Sequence, residues 1–74
     1  MKLPRNLSGL NVVKVLTKYY GWEVHRREGS HITLKKSSER YILTVPNHNR
    51  LVPGTLLAIL RKANIEKYDF LSRL

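Results

Sequence analysis

The 74-residue chain has no cysteine, which excludes disulfides, thiolate nucleophiles and cysteine-based zinc sites. That absence suits a reducing compartment. Acid is scarce too: 5 Asp+Glu face 14 Lys+Arg, leaving a net charge of +9. No apolar run approaches the roughly 20 residues that cross a bilayer. The opening Met1-Lys2-Leu3-Pro4-Arg5 is too short and too polar for a targeting signal. At this length one domain is expected, spanning 1–74. Folding a chain so small hides only about 60% of its unfolded surface, so any active site should be shallow. Together these features predict a soluble, cytoplasmic, single-domain protein.

What the chain does have is positive charge. A domain this basic attracts polyanions through counterion release, and nucleic acid is the commonest such partner. An anionic membrane surface is the rival.

Hydrophobic spacing predicts a helix over 9–20. Ser8 is suited to cap it, Leu7 and Val12 to staple its entry, and Gly21 to end it. Leu10, Val13, Leu16 and Tyr20 form its expected apolar stripe, with Asn11, Lys14 and Lys18 opposite. After Gly21 the period becomes two. Trp22–Arg27 and His31–Lys36 read as a hairpin. A three-residue loop, Glu28-Gly29-Ser30, pairs Arg27 with His31 and His25 with Thr33. It also puts Trp22, Val24, Ile32 and Leu34 on one face. Lys36–Glu39 is a turn, and Arg40–Val45 a third strand stopped by Pro46. A second helix is expected to begin at Pro53 or Thr55 and to bury Leu56, Ile59, Leu60 and Ala63, with Asn64 ending it. Tyr68, Phe70 and Leu71 form an apolar tail suited to closing the core.

The predicted class is α+β, in the order α-β-β-β-α: a three-stranded antiparallel sheet with two helices on one face. This is the topology of double-stranded-RNA-binding domains, and topology alone does not assign function. Trp22, Tyr41 and Phe70 are read as core rather than as base-stacking platforms, because an RNA-stacking sheet carries its aromatics on the open face.

Three strings sharpen the reading. Arg26-Arg27-Glu28-Gly29-Ser30-His31 resembles the Arg-x-x-Gly-Ser-His segment of HicA toxins. Val45-Pro46-Asn47-His48 resembles that family's Val-Pro-x-His. Gly54-Thr55-Leu56, followed by Ile59-Leu60-Arg61 and Ala63, resembles its second helix. The likeness extends over residues 10–71, with Asn64 where the family usually has glycine. It implies an mRNA interferase that cuts RNA and arrests translation, and a HicB-type antitoxin that covers its histidine.

On local pattern alone, His31 reads as a surface histidine; the resemblance makes it the catalytic candidate. Histidine is the side chain most often used to take and give protons, so it can serve as general base or acid while the neighbouring 2′-OH attacks phosphorus. Arg26 or Arg27 would stabilise the charge gathering on the phosphate. His48 is a supporting candidate, as second proton-transfer group, as an antitoxin contact or simply as a loop histidine. Ser30, Lys35, Lys36, Arg40, Lys14 and Lys18 are candidate RNA contacts. The three histidines lack metal-ligand spacing, so neither metal nor cofactor is expected. The alternative is a non-catalytic RNA-binding module of the same topology. The second helix opens without a basic residue before Arg61, which argues against ordinary double-stranded-RNA binding.

Overall fold

The computed structural model describes residues 6–74; Met1–Arg5, read above as too short for a targeting signal, lie outside the described residues. Helix α1 (Gly9–Tyr19) precedes strands β1 (Glu23–Glu28), β2 (His31–Lys35) and β3 (Leu43–Pro46). Helices α2 (Pro53–Lys62) and α3 (Lys67–Ser72) follow. The sheet is antiparallel in the order β1-β2-β3. The α+β order of the sequence reading is therefore the observed one, and the apolar tail becomes a third, short helix.

The caps form where the sequence signals them. The Ser8 side chain accepts from the Asn11 amide at 3.1 Å, and Asn11 Oδ1 accepts from the Ser8 amide at 3.2 Å, closing a capping box. Pro53 is the first residue of α2, where its missing N–H costs nothing. Asn64 ends that helix at φ 57°, and the Ile65 amide reaches back to the Leu60 carbonyl at 2.9 Å. This is a Schellman ending, with asparagine taking the left-handed place glycine usually fills.

Cross-strand pairs Ile32↔Val45 and Leu34↔Leu43 put four fully buried side chains on one face. Val12, Leu16, Leu56, Leu60 and Phe70 pack over them, along with Trp22 at the sheet's end. The described residues bury no polar or charged side chain, so the core is held by apolar burial alone. Among the described residues no helix lies over the other face, which carries His31, Thr33, Lys35 and Thr44.

Four sequence expectations change. First, α1 buries Gly9, Val12, Val13, Val15 and Leu16 while Leu10 stays 49% exposed. The helix is rotated so that Gly9 lies against Pro46, and Leu10 turns outward. Second, the hairpin loop has two residues, Gly29 and Ser30, with Glu28 opposite His31. Gly29 has φ 55°, and glycine at the first central place suits a type II′ turn. A bulge at His25 then absorbs one residue, so Arg26 faces Thr33 while Val24 still faces Leu34. Val24 shares Leu34's face but is 42% exposed, because β1 is an edge strand. Third, β3 begins at Leu43 rather than Arg40. The pair Leu34↔Leu43 is the last rung before the turn, and Tyr41 leaves the ladder to pack its ring 5.7 Å from that of Trp22. Fourth, Tyr68 is exposed, leaving Phe70 and part of Leu71 to close the core.

Helix α3 is fastened to the end of α1. The Tyr20 hydroxyl donates to Asp69 Oδ2, and Arg73 Nε lies 3.4 Å from the same oxygen. The Tyr20 and Phe70 rings stack with centroids 6.4 Å apart.

Candidate active site

The site is built at the β1–β2 turn. Directly opposite residues of an antiparallel pair point to the same face, so Glu28 and His31 stand together on the open face, as do Arg26 and Thr33 two rungs away. Arg26 Nη1 reaches Glu28 Oε1 at 3.2 Å. Arg27 is opposite Ile32, so it belongs to the other face, and the expected Arg27–His31 pairing is replaced by Glu28–His31. Of the two arginines, only Arg26 shares a face with the histidine. His25, at the bulge, is no longer opposite Thr33.

The loop after β3 closes on the same end. Pro46 pairs with His31, and the Asn47 amide donates to the Ser30 carbonyl at 2.6 Å. His48 is exposed, and its carbonyl accepts from the Gly9 amide at 2.9 Å. The turn, the His48 loop and the first turn of α1 are thus tied together through backbone hydrogen bonds. Ser30 and His31 are exposed there, as is Lys35 farther along β2.

The remaining candidates disperse. Lys36 is half-buried, its ammonium 5.9 Å from the Trp22 ring centroid, where it serves packing. Arg40 is exposed beyond the far turn. Lys14 and Lys18 lie on the outer side of α1, in the helix layer rather than on the open sheet face.

Glu28 is the site residue that sequence reasoning missed. Its signal was available: Gly-Ser as a two-residue loop, with glycine first, brings Glu28 opposite His31. Among the described residues no three of His, Asp and Glu gather as a metal-binding group. An exposed histidine beside an arginine–carboxylate pair can move a proton and hold an anionic oxygen, and the open face admits a large substrate.

These features define a class: a small basic α+β domain whose polar constellation is displayed on an uncovered sheet face, at the end where turn, loop and helix meet. Over residues 11–65 the sequence matches the model of the HicA toxin of bacterial toxin-antitoxin systems. The chain therefore belongs to the HicA toxin family. No curated protein matches it significantly. Membership makes it the toxin side of a toxin–antitoxin pair. Among the described residues no helix is long and apolar enough to cross a membrane.

Proposed function

We propose that the protein is a metal-independent endoribonuclease, an mRNA interferase, that cuts RNA by attack of the 2′-OH on the adjacent phosphorus. The observation that carries this reading is the exposure of His31 beside Arg26 on the open face, at the end shared with His48. The 2′-oxygen–phosphorus bond forms and the bond to the 5′-oxygen breaks. A base takes the 2′-OH proton and an acid protonates the departing 5′-oxygen, leaving a 2′,3′-cyclic phosphate and a 5′-hydroxyl. His31 performs one of these proton transfers, and His48 is the candidate for the other. Arg26 stabilises the charge on the non-bridging oxygens. It must first be drawn from Glu28, a small cost for an exposed pair.

Ser30 and Lys35 supply contacts to the RNA backbone near the turn, with Arg40 farther off. Arg27 leaves the catalytic group and Lys36 contributes to packing. The partner is a HicB-type antitoxin that silences the toxin by covering the open face, and the setting is the cytoplasm.

The test is RNA cleavage in EDTA by the purified protein and its His31→Ala variant, both confirmed folded. Cleavage by the native chain alone, with DNA untouched, supports the reading. Equal cutting of RNA and DNA removes the 2′-OH mechanism. No cleavage by either, with salt-sensitive RNA binding intact, favours the non-catalytic binding module.

A further inference from the structure

A second surface gathers cations away from the turn. Between α1 and the C-terminal residues runs a groove of about 500 Å³, lined among others by Asn11, Lys14, Lys18, Tyr19 and Arg73. Lys14 and Lys18 are one helical turn apart, about 6 Å along the axis. The third cation is held in place: Arg73 lies 5.0 Å from the Tyr19 ring centroid and 5.7 Å from that of Tyr20, with its Nε toward Asp69. Besides Asp69, the Tyr20 hydroxyl is a polar neighbour of the guanidinium. Lys18 sits 5.3 Å from the Tyr19 centroid. Tyr19 is a half-exposed wall on which two cations rest.

We propose that this groove is a phosphate-binding subsite for single-stranded RNA, taking the strand as it leaves the catalytic end. Three features favour RNA over other anions. One end of the groove adjoins the first turn of α1 at Leu7 and Asn11, and the Gly9 amide of that turn is bonded to the carbonyl of His48, in the loop whose Asn47 amide meets Ser30. From there α1 extends through 11 residues, about 16 Å, and sets Lys14 and Lys18 in line along the groove. A guanidinium immobilised by two rings and a carboxylate can bind a phosphate at little further entropic cost. The inference rests on the RNA-cleaving reading, and its test is made independent of cleavage.

The experiment titrates the protein with a short fluorescein-labelled 2′-O-methyl RNA strand, which lacks the attacking hydroxyl, across roughly 50 to 200 mM salt. Each phosphate contact contributes about 0.7 to the log–log salt slope on single strands, so the Lys14→Gln/Lys18→Gln/Arg73→Gln variant should flatten it by about 2. Over that interval the native chain should lose on the order of 20-fold more affinity than the variant. Because Arg73 also fastens α3, the Lys14→Gln/Lys18→Gln variant is measured in parallel; it leaves that contact intact and should reduce the difference to about sevenfold. Native affinity and slope in both variants would overturn the proposal, whatever happens to cleavage. So would phosphatidylglycerol vesicles that bind the native chain and not the variants while RNA binding stays unchanged. Loss of cleavage in His31→Ala, with the groove variants binding as native, would leave the catalytic reading standing and remove the subsite.

Discussion

Replacing Gly9 with alanine tests whether the helix and the candidate site are pressed together as described. A Cβ on Gly9 would lie 2.0 Å from the Pro46 carbonyl oxygen, 3.0 Å from its carbon and 3.2 Å from Asn47 Cα. All three atoms are backbone, so no rotamer change relieves the overlap. The first turn of α1 must lift from the end of β3, which strains or breaks the bond from the Gly9 amide to His48. Overpacking of this kind costs about 1–3 kcal/mol, and the hydrogen bond contributes about 1 kcal/mol more. Opposing this, alanine favours helix over glycine by at most about 1 kcal/mol. The net expectation is a loss of about 1–3 kcal/mol, lowering the melting temperature by roughly 5–20 °C for a chain of this size. Trp22, 2% exposed, is the natural fluorescence probe.

Gly54 gives the comparison. It lies in the first turn of α2, and a Cβ there meets nothing within 4 Å. Gly54→Ala should therefore raise stability by a few tenths to about 1 kcal/mol, through helix propensity and a stiffer unfolded chain. The same chemical change is expected to have opposite signs in the two helices. A Gly9→Ala protein that melts with or above the native one would refute the close approach, and with it the coupling of α1 to the His48 loop.

Three further outcomes are expected. The Tyr20 hydroxyl, and then the Arg73 guanidinium, hold the Asp69 carboxyl below its ordinary value. Its stabilisation is therefore present above the ordinary carboxyl value of 3.8 and lost as pH falls through the lower folded one; Asp69→Asn should flatten the acid limb of melting temperature against pH. Gly29 has φ 55° with open space around it, so Gly29→Ala should cost about 1–2 kcal/mol by chemical denaturation and Gly29→Asn less. Glu28→Gln removes the partner of Arg26 and one negative charge, and should tighten RNA binding by up to about fivefold at low salt, with the gain disappearing at high salt.

The fold was legible wherever the signal was local. Ser8, Gly21, Pro53 and Asn64 mark helix ends by their own backbone chemistry, and all four mark them in the structure. The register of the hairpin was legible only in part. The pair Val24↔Leu34 follows from the hydrophobic pattern, but a one-residue bulge at His25 changes every pair nearer the turn, and an extra residue leaves no mark on the alternation. That displacement put Arg26 rather than Arg27 on the face of His31 and brought Glu28 opposite the histidine. Leu10 was misassigned because a Leu/Val spacing of three fits a buried stripe equally well; the approach of Gly9 to Pro46 decides the rotation, and that contact is tertiary. The groove was invisible because Arg73 joins Lys14 and Lys18 only through the fold of α3.

The division between core and chemistry determines how activity measurements on this protein can be interpreted. Among the described residues every large buried side chain is apolar and no polar side chain is buried, and Arg26, Glu28, His31 and His48 are all exposed. Removing an exposed side chain with no packing role usually changes stability by less than about 0.5 kcal/mol. The Arg26–Glu28 pair does not alter this, since both its side chains are more than 60% exposed, at 62% and 68%, and such pairs contribute little. His31→Ala is therefore expected to melt within about 4 °C of the native chain, so lost activity in that variant would report chemistry rather than unfolding. A large fall in melting temperature would mean that His31 supports the turn, and the cleavage comparison would then have to be made with His31→Gln, which keeps a polar side chain of similar reach. The same separation suits a toxin held by a partner. A site that contributes nothing to the core can be covered and released without the domain unfolding.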